Sequence, residues 1–138
     1  MKTSFHLFFV KQEGTIDSGD NVQFHYMESI LSLSARVIVE GHILFEYRVS
    51  AEPSVDFFFF RIDDTVLLKV SNTKEDAFGN LWATYSTEIS PGYHKFEWVY
   101  YKDRSISYAR DRVEIKRYVL PFLLSLSLSL SLSLSLSL

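Results

Sequence analysis

The sequence predicts an all-β domain: an antiparallel β-sandwich, jelly-roll-like, of about seven or eight strands. Three observations carry that expectation. Apolar and polar residues alternate with a period of two in several separate segments, the pattern of a half-buried strand. Aromatic residues make up 16% of the 138 residues, with 12 Phe and 8 Tyr. Such rings favour sheets, where they cover neighbouring strands across a pleated surface. Turn residues punctuate the segments about every ten residues, and no segment reads convincingly as a helix.

The elements follow in order. Met1 to Val10 carries one basic residue and a short apolar run that His6 interrupts; Lys11-Gln12-Glu13 follows without a small-residue cleavage site. It reads as a first strand or a truncated start rather than as a signal peptide. Gly14 to Asn21 is a loop of small and Asx residues. Ile30–Val39 reads as a strand, Glu40-Gly41 as a turn, and His42–Ser50 as its hairpin partner. On that partner Ile43, Phe45, Tyr47 and Val49 share one face, while Leu44, Glu46 and Arg48 share the other.

Asp56 to Ile62 holds four consecutive phenylalanines, which reads as a central strand buried on both faces. Asp63-Asp64 turns the chain into Val66–Val70; residues 71–80 form a polar loop, and a strand surrounds Leu81–Ile89. Ser90-Pro91-Gly92 is a turn that opens Tyr93–Tyr101, with Phe96, Trp98 and Tyr100 on one face. Arg112–Leu120 closes the set. The domain layout is therefore an N-terminal segment and loop over 1–22, a sandwich over 23–120, and a tail over 121–138.

From Leu124 to Leu138 the tail alternates Leu and Ser without deviation. A CT dinucleotide repeat read in any frame encodes that alternation, so the tail reads as a translated repeat replacing the natural continuation. The uncharged run Val119–Leu138 also meets the length of about 20 residues needed for a membrane span, although seven serines weaken it.

Composition narrows the function. A charge of -3, with 14 basic residues among 17 acidic ones, gives no footprint for nucleic acid. With no cysteine, disulfides, thiolate metal sites and thiol nucleophiles are excluded. Asp56, Asp63, Asp64, Asp103 and Asp111 sit at strand ends, where turn chemistry outweighs a calcium site because no Asp-x-Asp-x-Asp-Gly string is present. His6, His25, His42 and His94 lack metal-ligand spacing. No Gly-x-Ser-x-Gly elbow and no glycine-rich phosphate loop occurs. Glu46 and Glu97 fall on polar strand faces and read as solvated rather than as a glycosidase pair. The expectation is a non-enzyme without cofactor or metal. Trp98 alternates in phase with Phe96 and Tyr100 and reads as core, whereas Trp82 and Tyr93 border loops and are the candidate binding residues.

Three strings carry a resemblance. They are Gly-x-Ile-x-Phe-x-Tyr-x-Val-Ser-x-Glu over Gly41–Glu52, Asp-Phe-x-x-Phe-x-Ile-Asp over Asp56–Asp63, and Pro-Gly-x-His-x-Phe-x-Trp-x-Tyr-x-Lys-Asp over Pro91–Asp103. Over about residues 15–120 the chain resembles the MAM-like or jelly-roll module in the ectodomain of the endosome/lysosome-associated apoptosis and autophagy regulator proteins. The resemblance implies an extracellular or luminal module of a membrane-receptor-like protein on the secretory and endosomal route, with a structural or protein-interaction role. Membrane attachment would then come from the missing remainder of the chain or, failing that, the Leu-Ser tail. A carbohydrate-binding module is the second expectation, and its ligand would meet Trp82 or Tyr93. The protein or glycan partner is left open, and a cytoplasmic location stays open beside the extracellular one.

Overall fold

The computed structural model describes residues 9–10, 14–19, 26–72, 76, 79–103 and 110–119. In chain order the strands are β1 (Phe9–Val10), β2 (Ile16–Asp17), β3 (Met27–Val37), β4 (Gly41–Ser50), β5 (Phe57–Ile62), β6 (Thr65–Val70), β7 (Ala83–Ile89), β8 (Gly92–Lys102) and β9 (Arg112–Val119). They form two sheets, one ordered β1-β2-β9-β4-β7 and the other β3-β8-β5-β6. Every pairing is antiparallel. The predicted sandwich is what forms: seven strands of six or more residues, plus two short ladders.

The expected hairpin at Glu40-Gly41 does not. β3 pairs with β8 over its whole length, from Met27↔Lys102 to Val37↔Gly92. β4 instead lies between β7 and β9, so residues 38–40 carry the chain from one sheet to the other. Backbone angles supply the reason. A two-residue hairpin needs positive φ in its loop, and neither Glu40 nor Gly41 adopts it. Asp63 and Asp64 do, at φ 48 and 67, and there β5 turns directly into β6.

The N-terminal strands join the five-stranded sheet. β1 and β2 both fall within 1–22, and Ile16 pairs with Ile115 on β9. Ser18 fastens the following residues: its N–H donates to the Val113 carbonyl and its Oγ accepts from the Val113 N–H, both at 3.0 Å. The Leu-Ser tail and its membrane reading lie outside the described residues.

The core sits between the sheets, and the aromatic strings fill it. Phe45 from β4 meets Phe58, Phe60 and Trp98 of the facing sheet at centroid distances of 6.3, 5.0 and 5.8 Å. On its own sheet it touches Tyr47 and Tyr85. Phe96, Trp98 and Tyr100 are buried as expected. The phenylalanine run behaves differently. β5 is central, yet only Phe58 and Phe60 are buried; Phe57 and Phe59 are half-buried on the outer face, where the Lys69 ammonium lies 4.2 and 5.6 Å from their rings. The lysine ammonium thus meets two rings that a second layer would otherwise bury. A register shift between Phe60 and Arg61 bulges the edge strand β6, which discourages pairing with another chain.

Candidate functional site

Among the described residues, several groups capable of acid–base chemistry are committed to the framework. His94 directs Nδ1 at Asp63 Oδ2 (2.6 Å) and Nε2 at the Ser90 carbonyl (2.9 Å), so neither ring nitrogen is left for a metal or substrate. Asp63 also accepts the Lys95 N–H at 2.8 Å. Burial opposes ionisation of Asp63, but the bonds from Lys95 and His94 outweigh it and lower its pKa.

Glu97 corrects an expectation. It lies on the outer face of β8, where sequence predicts a solvated glutamate, yet its side chain is 2% exposed. Arg61 donates to Oε2 at 2.5 Å and the Lys95 ammonium sits 2.9 Å from Oε1. A strand position predicts which face a residue takes, but long basic neighbours can roof that face. Burial raises the Glu97 pKa, and the two cations more than reverse it, so the carboxyl titrates below the usual range. A depressed folded pKa stabilises the protein above the unfolded value and loses that contribution as pH falls through the folded one. Urea midpoints are therefore expected to drop more steeply below about pH 4 in the wild type than in Glu97→Gln.

At the other end of the sandwich, Asp56, Lys102 and Asp111 are all fully buried. The Lys102 ammonium lies 3.7 Å from Asp56 Oδ2 and 3.2 Å from Asp111 Oδ2, so the cation between these two carboxylates is a lysine. Asp56 also accepts the Asp103 N–H at 2.9 Å. Desolvation is the largest influence on Asp56 and raises its pKa despite the Asp103 bond and Lys102. Asp63, Asp64 and Asp111 adopt positive φ, the turn chemistry expected of them. Among the described residues, no group of three or more His, Cys, Asp or Glu is arranged to hold a metal ion.

The open chemistry lies on the outer face of the five-stranded sheet. Alternation along β4 puts Glu46 and Arg48 there, and pairing sets them opposite Lys116 and Glu114 of β9. Arg48 bonds Glu114, Lys116 lies 3.4 Å from Glu46, and Arg112 lies 3.8 Å from Asp17. Trp82 enters from the loop before β7 and lies across this lattice. Its ring centroid is 4.7 Å from the Arg48 guanidinium and 4.0 Å from the Lys116 ammonium. The loop that presents it is fixed from two sides. The Asp76 carboxylate accepts the N–H groups of Asn80 and Leu81 at 2.9 and 3.1 Å. Gly79, at φ 62, packs so closely on β4 that an added Cβ would stand 2.2 Å from the Val49 carbonyl oxygen. The result is an open cleft of about 680 Å³ beside the indole.

Tyr93, the other predicted binding residue, is 79% exposed, with the Arg36 guanidinium 5.5 Å from its ring centroid. It borders a cleft of about 340 Å³ with Asp63, His94 and Lys95. The structure does not bring the two rings together. Trp82 precedes β7 and Tyr93 follows it, so the length of that strand, about 23 Å at ~3.3 Å per residue, separates them. The sequence singles out Trp82 and does not single out the cations beside it. Arg48 and Lys116 are far apart in the chain, and the only signal was alternating charge on two segments whose pairing the sequence did not reveal.

No protein-family model matches the chain, and no curated protein matches it. Among solved structures, the chain is similar to the secreted serine protease VesC from Vibrio cholerae, with a TM-score of 0.65 and 17% identity. The match covers 83% of this chain and 22% of that one, so the chain spans about a fifth of the protease's length. At this identity the shared property is the fold, an antiparallel β-sandwich that also serves as one part of a larger chain.

Proposed function

We propose that this chain is a non-enzymatic, ligand-binding β-sandwich module of a membrane-receptor-like protein, displayed on the extracellular or luminal side of the secretory and endosomal route. One observation carries the binding role: an indole laid over two cations in an open cleft whose lining carboxylate, Glu114, is already bonded to Arg48. Such a surface offers a flat apolar ring and fixed donors, which suit recognition. The receptor-like setting and its location rest on the resemblance of Gly41–Glu52 and Pro91–Asp103 to ectodomain modules. A domain of this fold also forms part of a secreted chain. Between a protein and a glycan ligand, the Trp82 platform favours a glycan, because a sugar ring can stack on an indole face while its hydroxyls take hydrogen bonds from neighbouring side chains.

A glycan array, run beside ester, glycoside and peptide hydrolysis assays, tests this reading. The expected result is binding to at least one glycan class that Trp82→Ala abolishes and Tyr93→Ala leaves intact, with no turnover of any substrate. Turnover that tracks the folded domain, or glycan binding indifferent to Trp82, would overturn it.

A further inference from the structure

We infer that the Trp82 cleft recognises an anionic saccharide, a sugar chain bearing carboxylate or sulfate groups; this rests on the glycan reading above and specifies its ligand. The argument concerns how charge is layered. Four cations line the cleft: Arg48, Arg110, Arg112 and Lys116. Three carboxylates accompany them, and a simple count would leave the face nearly neutral. Depth decides otherwise. In the pairs Arg48–Glu114, Arg112–Asp17 and Lys116–Glu46, the carboxylate is the more buried partner each time. The acids form a floor that holds the cations upright, and an approaching ligand meets the cations first.

Arg110 strengthens this reading. It is exposed, its backbone N–H is anchored to Ser50 Oγ at 3.0 Å, and it has no ion-pair partner among the described residues. Arg112 is tied down beside it, its Nε donating to the Arg110 carbonyl at 3.5 Å. Two guanidiniums from residues two apart line the same cleft, and a planar fork of donors suits a carboxylate or sulfate. Trp82 supplies what a bare basic patch lacks. With Arg48 and Lys116 both close to its ring, the indole is held as a fixed platform on which a sugar ring can lie. A ringless polyanion would satisfy the arginines and leave the platform unused. A neutral sugar would use the platform and leave the arginines unpaired.

Calorimetric titration of the whole chain separates these cases, with oligogalacturonate and heparin hexasaccharides as acidic probes, cellohexaose as the neutral probe and linear polyphosphate as the ringless anion. The acidic hexasaccharides are expected to bind. Trp82→Ala and the pair Arg110→Ala/Arg112→Gln should each weaken them by about tenfold or more, and raising salt should weaken them further as the screening length shortens. Circular dichroism of each variant establishes that the fold is kept. Cellohexaose binding as tightly, lost in Trp82→Ala but indifferent to the arginine pair, would overturn the anion requirement and leave the glycan reading standing. Polyphosphate binding as tightly as the hexasaccharides would reduce the site to charge alone and overturn the inference. Silence with every saccharide would remove both.

Discussion

Lys102→Met is expected to cost about 3–5 kcal/mol, a large share of a small domain's stability. The substitution keeps the aliphatic stem and removes the ammonium that lies beside Asp56 and Asp111, two fully buried carboxylates. Desolvation already raises the Asp56 pKa with Lys102 in place. Without the lysine's opposing pull it must rise further. A carboxyl whose folded pKa lies above its unfolded value destabilises the fold at high pH and recovers as pH falls through the folded value. The deficit in Lys102→Met should therefore be largest at neutral pH and shrink as pH falls through the raised Asp56 value. Replacing all three groups together, as Lys102→Met with Asp56→Asn and Asp111→Asn, should restore much of the loss, because no buried charge is then stranded. Urea unfolding of the single and triple variants across that pH range checks both the size and the sign.

Phe45→Ala should lose about 3–5 kcal/mol by a different route. The ring is fully buried and touches three rings of the opposite sheet and two of its own, so truncation opens a cavity across the seam of the sandwich. At about 4–8 °C per kcal/mol, the melting temperature should fall by at least ~12 °C. Tyr93→Ala, also an aromatic truncation but at an exposed site, should change stability by no more than about 0.5 kcal/mol. Thermal unfolding of the two variants side by side separates core rings from surface rings, and the pH dependence that marks Lys102→Met should be missing from both.

The strand content was legible because period-two alternation states which residues share a face, as with Ile43, Phe45, Tyr47 and Val49. Pairing was less legible. Glu40-Gly41 has the composition of a turn, but a hairpin depends on the sign of φ, and the competing gain was to bury β3 and β4 across the sandwich from one another. The same gap hid the candidate site. Trp82 could be found as an aromatic beside a loop, whereas its floor is assembled from β4 and β9, whose neighbours in space are distant in sequence. Glu97 shows the converse: its face was legible, and the roof that Arg61 and Lys95 place over it was not. The glycine-led aromatic strings that carry the family resemblance do scaffold work, and the surface proposed for binding lies on the opposite face of β4.

That separation of core from surface is the central claim, and the chain carries a convenient reporter of it. It has two tryptophans, one in the cleft and one in the core, and hence two indole N–H signals in a proton–nitrogen correlation spectrum. Titration with oligogalacturonate hexasaccharide should shift the Trp82 indole signal and the amides of Arg48 and Arg110, and leave the Trp98 signal in place. Binding that moves Trp98 or the amides around Tyr93, while Trp82 stays fixed, would contradict the account.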